Sequence, residues 1–302
     1  MIFLIAVLIL TLLVFGIAFY LTKIAFNPKT YRYEDTFHYE VDNGNFEAEF
    51  FENLKKEEVF IRSDYGYKLH GLWIPCENSD KTIVIVHGYT YTLFGSVKYM
   101  EMFLKRGFNV FLYDHRYHGK SGGPNCSMGY YEKNDLKKVM DWIITEKGVM
   151  NVLATHGESM GAATVLMHAA IDDRVDFVIA DCPFKSVWDQ FAYRLKVEYK
   201  LPTFPVLNVA NLLSKLRIDT KFTAISPIET IEQIKAPVFF IHGDADTYIP
   251  NSHSLDMYEK KHGTKKLYLA KGADHARSFS VDRERYEKEI EEFLISTGSV
   301  KS

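Results

Sequence analysis

A serine between two glycines is the first candidate nucleophile in this sequence. Residues 157–161 read Gly-Glu-Ser-Met-Gly, so that Ser159 is the centre of a G-x-S-x-G pattern. A serine hydroxyl attacks a carbonyl carbon efficiently only when a neighbouring base removes its proton and an acid orients that base. Because the pattern arises by chance in about one in ten chains of this length, the base and the acid must be found elsewhere in the sequence.

A histidine and two aspartates follow the serine, in loops that come after apolar runs. His275, in the sequence KGADHARS, is the predicted base. The sequence HGDADTYIP (242–250) offers two acids, and we expect Asp246 to orient His275 and to stabilise its charge. Asp244 is the alternative acid, although its position favours an Asx-type hydrogen bond that stabilises the turn.

Two backbone N–H groups are predicted to form an oxyanion hole, which binds the negative charge that develops on the carbonyl oxygen. Met160 follows the nucleophile at the start of a predicted helix, where its N–H has no partner within the helix. Tyr89 follows the glycine of VHGYT (86–90), at the end of an early apolar strand. We expect the neighbouring His87 to be structural rather than a base.

Strand and helix signals alternate from residue 58 onwards, which predicts a mostly parallel sheet flanked by helices. In such sheets, functional groups collect at the carboxyl ends of the strands. Ser159 falls on a tight turn between the predicted strand NVLAT and a helix, and Gly157 and Gly161 leave space there that a Cβ would occupy. The strand-like runs are TIVIVHG, NVFLYD, NVLATHG, VDFVIADCP, VFFIHG and KLYLA.

The first 22 residues contain no charged side chain and predict a transmembrane helix. A helix of this length measures about 33 Å, enough to cross the hydrocarbon core of a bilayer. A cleaved signal peptide would begin with a basic residue and end at a small-residue cleavage site, and the segment has neither. Lys23, Lys29 and Arg32 follow it, so the positive-inside rule places the rest of the protein in the cytoplasm.

Residues 23–57 are expected to form a packed juxtamembrane segment rather than a free linker. Residues 31–57 are rich in aromatic and acidic residues. Phe46, Phe50 and Leu54 recur every four residues, which predicts an amphipathic helix docked on an apolar surface.

Composition argues against several classes of function. The net charge is −3 and no basic stripe dominates, so nucleic acid is not an expected partner. Cys76, Cys126 and Cys182 form no CxxC pair, which argues against a zinc site and a disulfide framework. His115 and His118 have the spacing of metal ligands, but no third ligand accompanies them. We therefore expect no metal and no cofactor.

Six motifs in this sequence resemble those of the α/β-hydrolase superfamily, specifically its serine aminopeptidase and monoacylglycerol-lipase-like branch. The resemblance covers about residues 58–295 and implies an α/β-hydrolase fold whose triad follows in the chain order Ser159, Asp246, His275. Two departures are DHRYHGKS, in place of D-x-R-G-x-G-x-S, and Glu158, which places a negative charge beside the nucleophile. The motifs, in chain order, are SDYGYKLHGLWIP, VHGYT, YDHRYHGKSGG, HGESMG, HGDADTYIP and GADH.

The strand–helix alternation stops between Phe184 and Phe222, where aromatic residues and leucines accumulate. Pro202 and Pro205 divide this insertion into short helices. The resemblance implies that it is a cap over the active site that shapes an acyl pocket; a helical subdomain with its own aromatic core is the alternative. Basic residues outnumber acidic ones here, which suits anionic headgroups.

The sequence thus predicts a transmembrane anchor (1–22), a juxtamembrane segment (23–57) and an α/β-hydrolase domain (58–302) with a cap at about 184–235. We expect a membrane-anchored serine hydrolase that cleaves esters of small molecules or lipids through an acyl-enzyme on Ser159. A serine peptidase with the same triad is the first alternative, with Glu158 as an anionic subsite for a peptide amino terminus. A non-catalytic binding module is the second, and oligomeric state is left open.

Overall fold

An eight-stranded sheet forms the centre of this computed structural model, which describes residues 1–300. The strands are β1 (Glu57–Arg62), β2 (Lys68–Ile74), β3 (Lys81–Val86), β4 (Asn109–Tyr113), β5 (Val152–Glu158), β6 (Val178–Asp181), β7 (Val238–Gly243) and β8 (Lys265–Ala270). Their order in the sheet is β1-β2-β4-β3-β5-β6-β7-β8. β2 is antiparallel to β1 and β4, and all other neighbours are parallel. The predicted mostly parallel sheet is therefore confirmed.

Helices cover both faces of the sheet, as the alternating sequence pattern predicted. The α-helices are α1 (Ile2–Phe26), α2 (Tyr33–Asp42), α3 (Ala48–Asn53), α4 (Phe94–Val97), α5 (Met100–Leu104), α6 (Glu132–Lys147), α7 (Met160–Ala169), α8 (Val187–Tyr199), α9 (Val206–Leu213), α10 (Lys215–Ile218), α11 (Pro227–Thr230), α12 (Ser252–Lys260), α13 (Ser278–Val281) and α14 (Arg283–Ser296).

The central strand β3 shows why two helical layers are needed. Its side chains alternate between two cores, with Ile83 and Ile85 in one and Val84 and Val86 in the other. The first core includes residues of α4, α5 and α14, and the second includes residues of α6, α7 and α12. A strand that is buried on both faces has no polar alternation, which is why its sequence reads as a continuous apolar run.

The juxtamembrane prediction was wrong in its detail. Residues 33–53 form two helices, α2 and α3, because the chain turns between them at Gly44, whose φ of +67° favours glycine. Phe46 is buried but lies between the helices, and Phe50 is exposed. Phe51, rather than Phe50, joins the core and packs against Phe46.

Helix α1 is long and apolar enough to cross a membrane, by length and composition. Residues 1–13 are exposed, whereas one side of residues 14–26 packs against the rest of the protein. Ala18, Thr22 and Phe26 are buried at a spacing of four residues, so they form a stripe on one side of the helix. This stripe contacts α9.

The segment between β6 and β7, which we call the cap (184–235), contains α8 to α11 and two short 3₁₀ helices. Its aromatic side chains form their own cluster, in which Trp188 and Phe191 pack on Phe222. The same cluster includes Met160, the residue after the candidate nucleophile. The cap therefore has an aromatic core and also packs beside Ser159.

Candidate active site

Ser159 occupies a strained turn between β5 and α7. Its φ of +56° lies in the left-handed region that L-residues rarely adopt. A Cβ on Gly157 would overlap the backbone of Gly161, and a Cβ on Gly161 would overlap the carbonyl oxygen of Val86. The Ser159 N–H donates to the Asp181 carbonyl oxygen at 2.8 Å and fixes the turn to the neighbouring strand. Two glycines are therefore required to bring α7 this close to the sheet.

The three predicted triad residues form one hydrogen-bonded chain. Ser159 Oγ lies 2.9 Å from His275 Nε2. His275 Nδ1 lies 2.7 Å from Asp246 Oδ2. The loops after β5, β7 and β8 bring these side chains together at the carboxyl ends of parallel strands. This is the nucleophile–base–acid arrangement that activates a serine hydroxyl.

The surroundings of Asp246 keep its carboxylate charged. Its Oδ1 accepts hydrogen bonds from the N–H groups of Tyr248 and Ile249, both at 2.8 Å. Burial alone would raise the pKa of Asp246, but hydrogen bonds from His242 and His275 outweigh it and lower the pKa below its usual range. A charged Asp246 accepts the Nδ1–H of His275 and leaves Nε2 free to accept the serine proton.

Sequence reasoning missed His242, which supports the acid. Its Nε2 lies 3.3 Å from Asp246 Oδ2 and 2.8 Å from the Ile249 carbonyl oxygen, while its Nδ1 faces Ser254 Oγ at 2.7 Å. As the first residue of HGDADTYIP, it was visible only as part of a motif. Asp244 also differs from expectation, because its Oδ1 accepts the Gly272 N–H at 2.6 Å and joins two loops instead of forming an Asx turn.

The loop after β3 passes directly beside the candidate nucleophile. A Cβ added to Gly88 would lie 3.5 Å from Ser159 Cβ, so the next residue, Tyr89, begins at the edge of the site. Met160 is the first residue of α7, where N–H groups have no helical acceptor. Within residues 1–300, neither the Tyr89 N–H nor the Met160 N–H donates to a protein acceptor. Both predicted oxyanion donors are therefore available to a ligand.

Histidines hold this loop in place. His87 Nε2 accepts the His115 N–H at 2.9 Å, and His118 Nε2 accepts the Thr90 N–H at 3.1 Å. Burial, followed by the nearby His118, lowers the pKa of His87 to about 3, so this ring is neutral at physiological pH and unsuited to proton transfer. The second nitrogen of His118 faces the Arg116 carbonyl oxygen at 2.8 Å, which leaves neither ring nitrogen free for a metal.

Among the described residues, Cys182, Asp246 and His275 are close enough to share a metal ion. Their chemistry does not fit this role. Burial raises the pKa of the Cys182 thiol well above its usual value, whereas metals bind the thiolate. The other two side chains are hydrogen-bonded to each other.

Glu158 is paired rather than free. Its carboxylate accepts hydrogen bonds from Lys98 Nζ and the Tyr99 hydroxyl, both at 2.5 Å. Lys98 is only 6% exposed, so the negative charge expected beside the nucleophile is compensated by a buried cation. The pairing with Lys98 could not be predicted, because a lysine in a predicted helix is normally solvated.

Replacement of Lys98 by methionine is expected to lower the free energy of unfolding by about 3–5 kcal/mol, because the largely buried Glu158 carboxylate would lose the cation that compensates its charge and keep only the Tyr99 hydroxyl. Denaturant unfolding of the full chain in detergent measures this. Lys105→Met is the matched control. Lys105 pairs with Glu101 at 2.7 Å, but its side chain is 61% exposed, so its loss should cost about 1 kcal/mol or less. Equal effects in the two variants would contradict this role of Lys98.

Two cavities meet at Ser159. An apolar cavity of about 410 Å³ is lined by Leu21, Ala25, Met128, Phe184 and Val187. A polar cavity of about 520 Å³ is lined by Glu40, Lys98, Glu158, Asp274 and Arg277. Tyr89, Ser159 and Tyr248 border both. Both volumes are typical of small-molecule sites.

This chain is similar in sequence to known proteins. A sequence profile of the α/β-hydrolase fold matches residues 81–205. The Bacillus subtilis (strain 168) protein YqkD is 44% identical over 263 residues, which cover 86% of each chain. The Escherichia coli (strain K12) protein YfhR is 27% identical over 251 residues, covering 80% of this chain and 81% of that one.

Among solved structures, the esterase PF2001 of Pyrococcus furiosus superposes with a TM-score of 0.68 and 27% identity, covering 84% of this chain and 92% of that one. The sheet order, the serine turn and these similarities agree, and the chain belongs to the α/β-hydrolase superfamily.

Proposed function

We propose that this protein is a serine hydrolase that cleaves carboxylic esters. The observation that carries the proposal is the hydrogen-bonded chain from Ser159 through His275 to Asp246, next to two available N–H donors. The structural similarity to an esterase supports hydrolase chemistry on this fold. The serine aminopeptidase and monoacylglycerol-lipase-like branch remains our placement within the superfamily.

The geometry allows the reaction to proceed in two steps. Ser159 Oγ attacks the ester carbonyl carbon while His275 Nε2 takes its proton, and the N–H groups of Tyr89 and Met160 bind the oxyanion. His275 then protonates the leaving alcohol as the carbonyl–oxygen bond breaks, which leaves an acyl group on the serine. Water attacks the acyl-enzyme with His275 again as base, the acid departs, and the proton returns to Ser159.

The two cavities match the two halves of an ester. The apolar cavity suits the acyl group, and the polar cavity, with charged groups such as Asp274 and Arg277, suits a polar alcohol. Since both cavities border Ser159, an ester bond between such groups would lie at the nucleophile.

In the peptidase alternative, Glu158 is the candidate anionic subsite for a peptide amino terminus. Lys98 and Tyr99 already occupy the Glu158 carboxylate, so this residue gives that alternative no support. The non-catalytic alternative is weakened because no member of the triad is missing or displaced.

We further propose that α1 anchors the protein in a bilayer with the catalytic domain in the cytoplasm. The exposed apolar surface of residues 1–13 supports an anchor, and the basic residues after the helix support the orientation. The enzyme would then bind its substrate at the membrane surface.

Hydrolysis is expected to be faster on anionic than on neutral vesicles, because the cap carries an excess of cations that attract anionic headgroups. Rates on phosphatidylcholine vesicles with and without phosphatidylglycerol test this. The difference should shrink at high salt, since screening weakens surface electrostatics. Equal rates at low salt would contradict a headgroup-facing cap.

A substrate series tests the proposed reaction. Full-length protein in detergent would receive p-nitrophenyl esters from acetyl to palmitoyl, and alanine and proline p-nitroanilides, beside Ser159→Ala. The full chain is needed because α1 lines the apolar cavity. We expect serine-dependent ester cleavage with an optimum in acyl length and no anilide cleavage. Preferential anilide cleavage would establish the peptidase instead, and cleavage of neither class would remove the esterase proposal.

A further inference from the structure

The last turns of α1 form a wall of the apolar cavity. Leu21, Ile24 and Ala25 line it from one side, and Ser159 borders the same cavity. Across the cavity are cap residues such as Phe184 and Leu207. The helix predicted to serve as an anchor is therefore also part of the candidate substrate site.

Side-chain contacts fix α1 to the site itself. The Tyr89 hydroxyl donates to the carbonyl oxygens of Ile24 and Ala25, at 2.7 and 3.1 Å. The backbone N–H of this same tyrosine is a predicted oxyanion donor. Phe26 packs edge-to-face on Phe191 of the cap, with ring centroids 6.3 Å apart. The end of α1 is thus joined both to the oxyanion loop and to the cap.

A basic residue of the cap also binds this end of the helix. The Arg217 guanidinium lies over the Phe19 ring at 4.8 Å and donates to Thr22 Oγ1 at 3.3 Å and Asn27 Oδ1 at 3.2 Å. An arginine that bonds the polar end of an apolar helix is typical of the membrane–water boundary. These contacts place the boundary at the level of the cavity wall.

The charge pattern of α1 places the membrane–water boundary at the same height along the helix. Its uncharged stretch ends at Thr22, and the exposed Lys23 follows. The cavity-lining residues Leu21, Ile24 and Ala25 lie on either side of that lysine. In a spanning helix, this is where the hydrocarbon core gives way to headgroups.

The cap exposes large apolar side chains on, or next to, helices that contact α1. Leu212 on α9 and Leu216 on α10 are 59% and 76% exposed, and Phe204 before α9 is 74% exposed. α9 and α10, like α8, contact α1. Exposed large apolar side chains suit a membrane or partner surface, and the contact of α9 and α10 with a candidate spanning helix favours the bilayer.

We propose that the apolar cavity is an acyl-binding site that α1 helps to build, and that it takes the chain of a bilayer-resident ester directly from the membrane. The substrate class is an amphiphilic ester with a long acyl chain and a polar alcohol. The inference rests on the proposed ester hydrolysis at Ser159. A wall shared by membrane and cavity lets the acyl chain reach the nucleophile without exposing its methylenes to water.

Two matched alanine-to-tryptophan variants test the wall. Ala25→Trp fills the cavity from α1, whereas Ala6→Trp makes the same change on the exposed half of the helix. In full-length protein in phosphatidylcholine vesicles, Ala25→Trp should lower the ratio of palmitoyl to acetyl p-nitrophenyl ester hydrolysis about tenfold or more. Ala6→Trp should leave the ratio unchanged. A wild-type ratio for Ala25→Trp would overturn the proposal.

Leu21→Ala covers the case in which Ala25→Trp fails to fold. This change removes side-chain volume from the same wall. It therefore enlarges the cavity and should shift the acyl-length optimum towards longer chains. An unchanged optimum in a folded Leu21→Ala protein would overturn the proposal.

A binding readout separates this inference from the proposed reaction. Ser159→Ala protein in vesicles would be irradiated with palmitic acid that carries a mid-chain diazirine, and the cross-linked peptides identified by mass spectrometry. Cross-links to the cavity residues Phe184 and Leu207 are expected, with at least fivefold less labelling when Ala25→Trp is added. Cross-links confined to residues 2–13 would overturn the acyl site even if ester hydrolysis occurs, and cavity cross-links without hydrolysis would leave the site standing while refuting the reaction.

Discussion

Ser159→Ala is expected to lower kcat for ester hydrolysis by about three orders of magnitude or more. The hydroxyl oxygen is the atom that bonds to the acyl group, and among residues 1–300 only the Ser159 hydroxyl is hydrogen-bonded to His275 Nε2. Residual turnover would come from the oxyanion donors and from substrate binding alone. Both Ser159→Ala and wild type would be assayed with p-nitrophenyl octanoate.

The alanine variant should fold normally. Alanine occupies the left-handed conformation of Ser159 no less readily than serine, and the turn depends on the glycines at 157 and 161. Ser252→Ala, at an exposed serine on α12, is the matched control and should keep the wild-type rate. A near-normal rate for folded Ser159→Ala would refute the assignment of the nucleophile.

Asp246→Asn is expected to lower kcat by about four orders of magnitude, as loss of the acid does in other serine triads. The amide oxygen can still accept the N–H groups of Tyr248 and Ile249, so the loop should hold. The amide NH₂ would then face His275 Nδ1 and favour the tautomer that has its proton on Nε2. That tautomer cannot accept the serine proton.

Asp244→Asn separates the two candidate acids. Asp244 accepts the Gly272 N–H, a bond that an amide oxygen can also make, whereas the His275 ring is hydrogen-bonded to Ser159 and Asp246. We expect a wild-type rate for this variant under the same assay. If Asp244→Asn were inactive and Asp246→Asn active, the acid would be assigned to the wrong aspartate.

The fold and the triad could be predicted because their signals are local. Each triad residue follows an apolar run that the sequence pattern predicts as a strand, and parallel strands bring the positions after them to one edge of the sheet. Gly157 and Gly161 predicted the tight turn because they, too, are a local signal. The space that they leave depends on the strand–turn–helix geometry alone.

The features that the sequence did not reveal depend on tertiary packing. Lys98 is charged and lies in a helical stretch, so only the fold shows that it is buried against Glu158. Phe50 and Phe51 are equally apolar, and only the packing of α3 on the core shows that Phe51 is the buried one. The contact of α1 with the cap joins residues about 190 positions apart, which a periodic pattern cannot encode.

Detection of the acyl-enzyme would test the proposed reaction most directly. Full-length protein would be mixed with p-nitrophenyl octanoate, quenched in acid during turnover, digested and examined by mass spectrometry. We predict one octanoyl group on the peptide that contains Ser159, absent from Ser159→Ala. Ester cleavage by wild type with no adduct on this peptide, or an equal adduct on the Ser159→Ala protein, would contradict nucleophilic catalysis by Ser159.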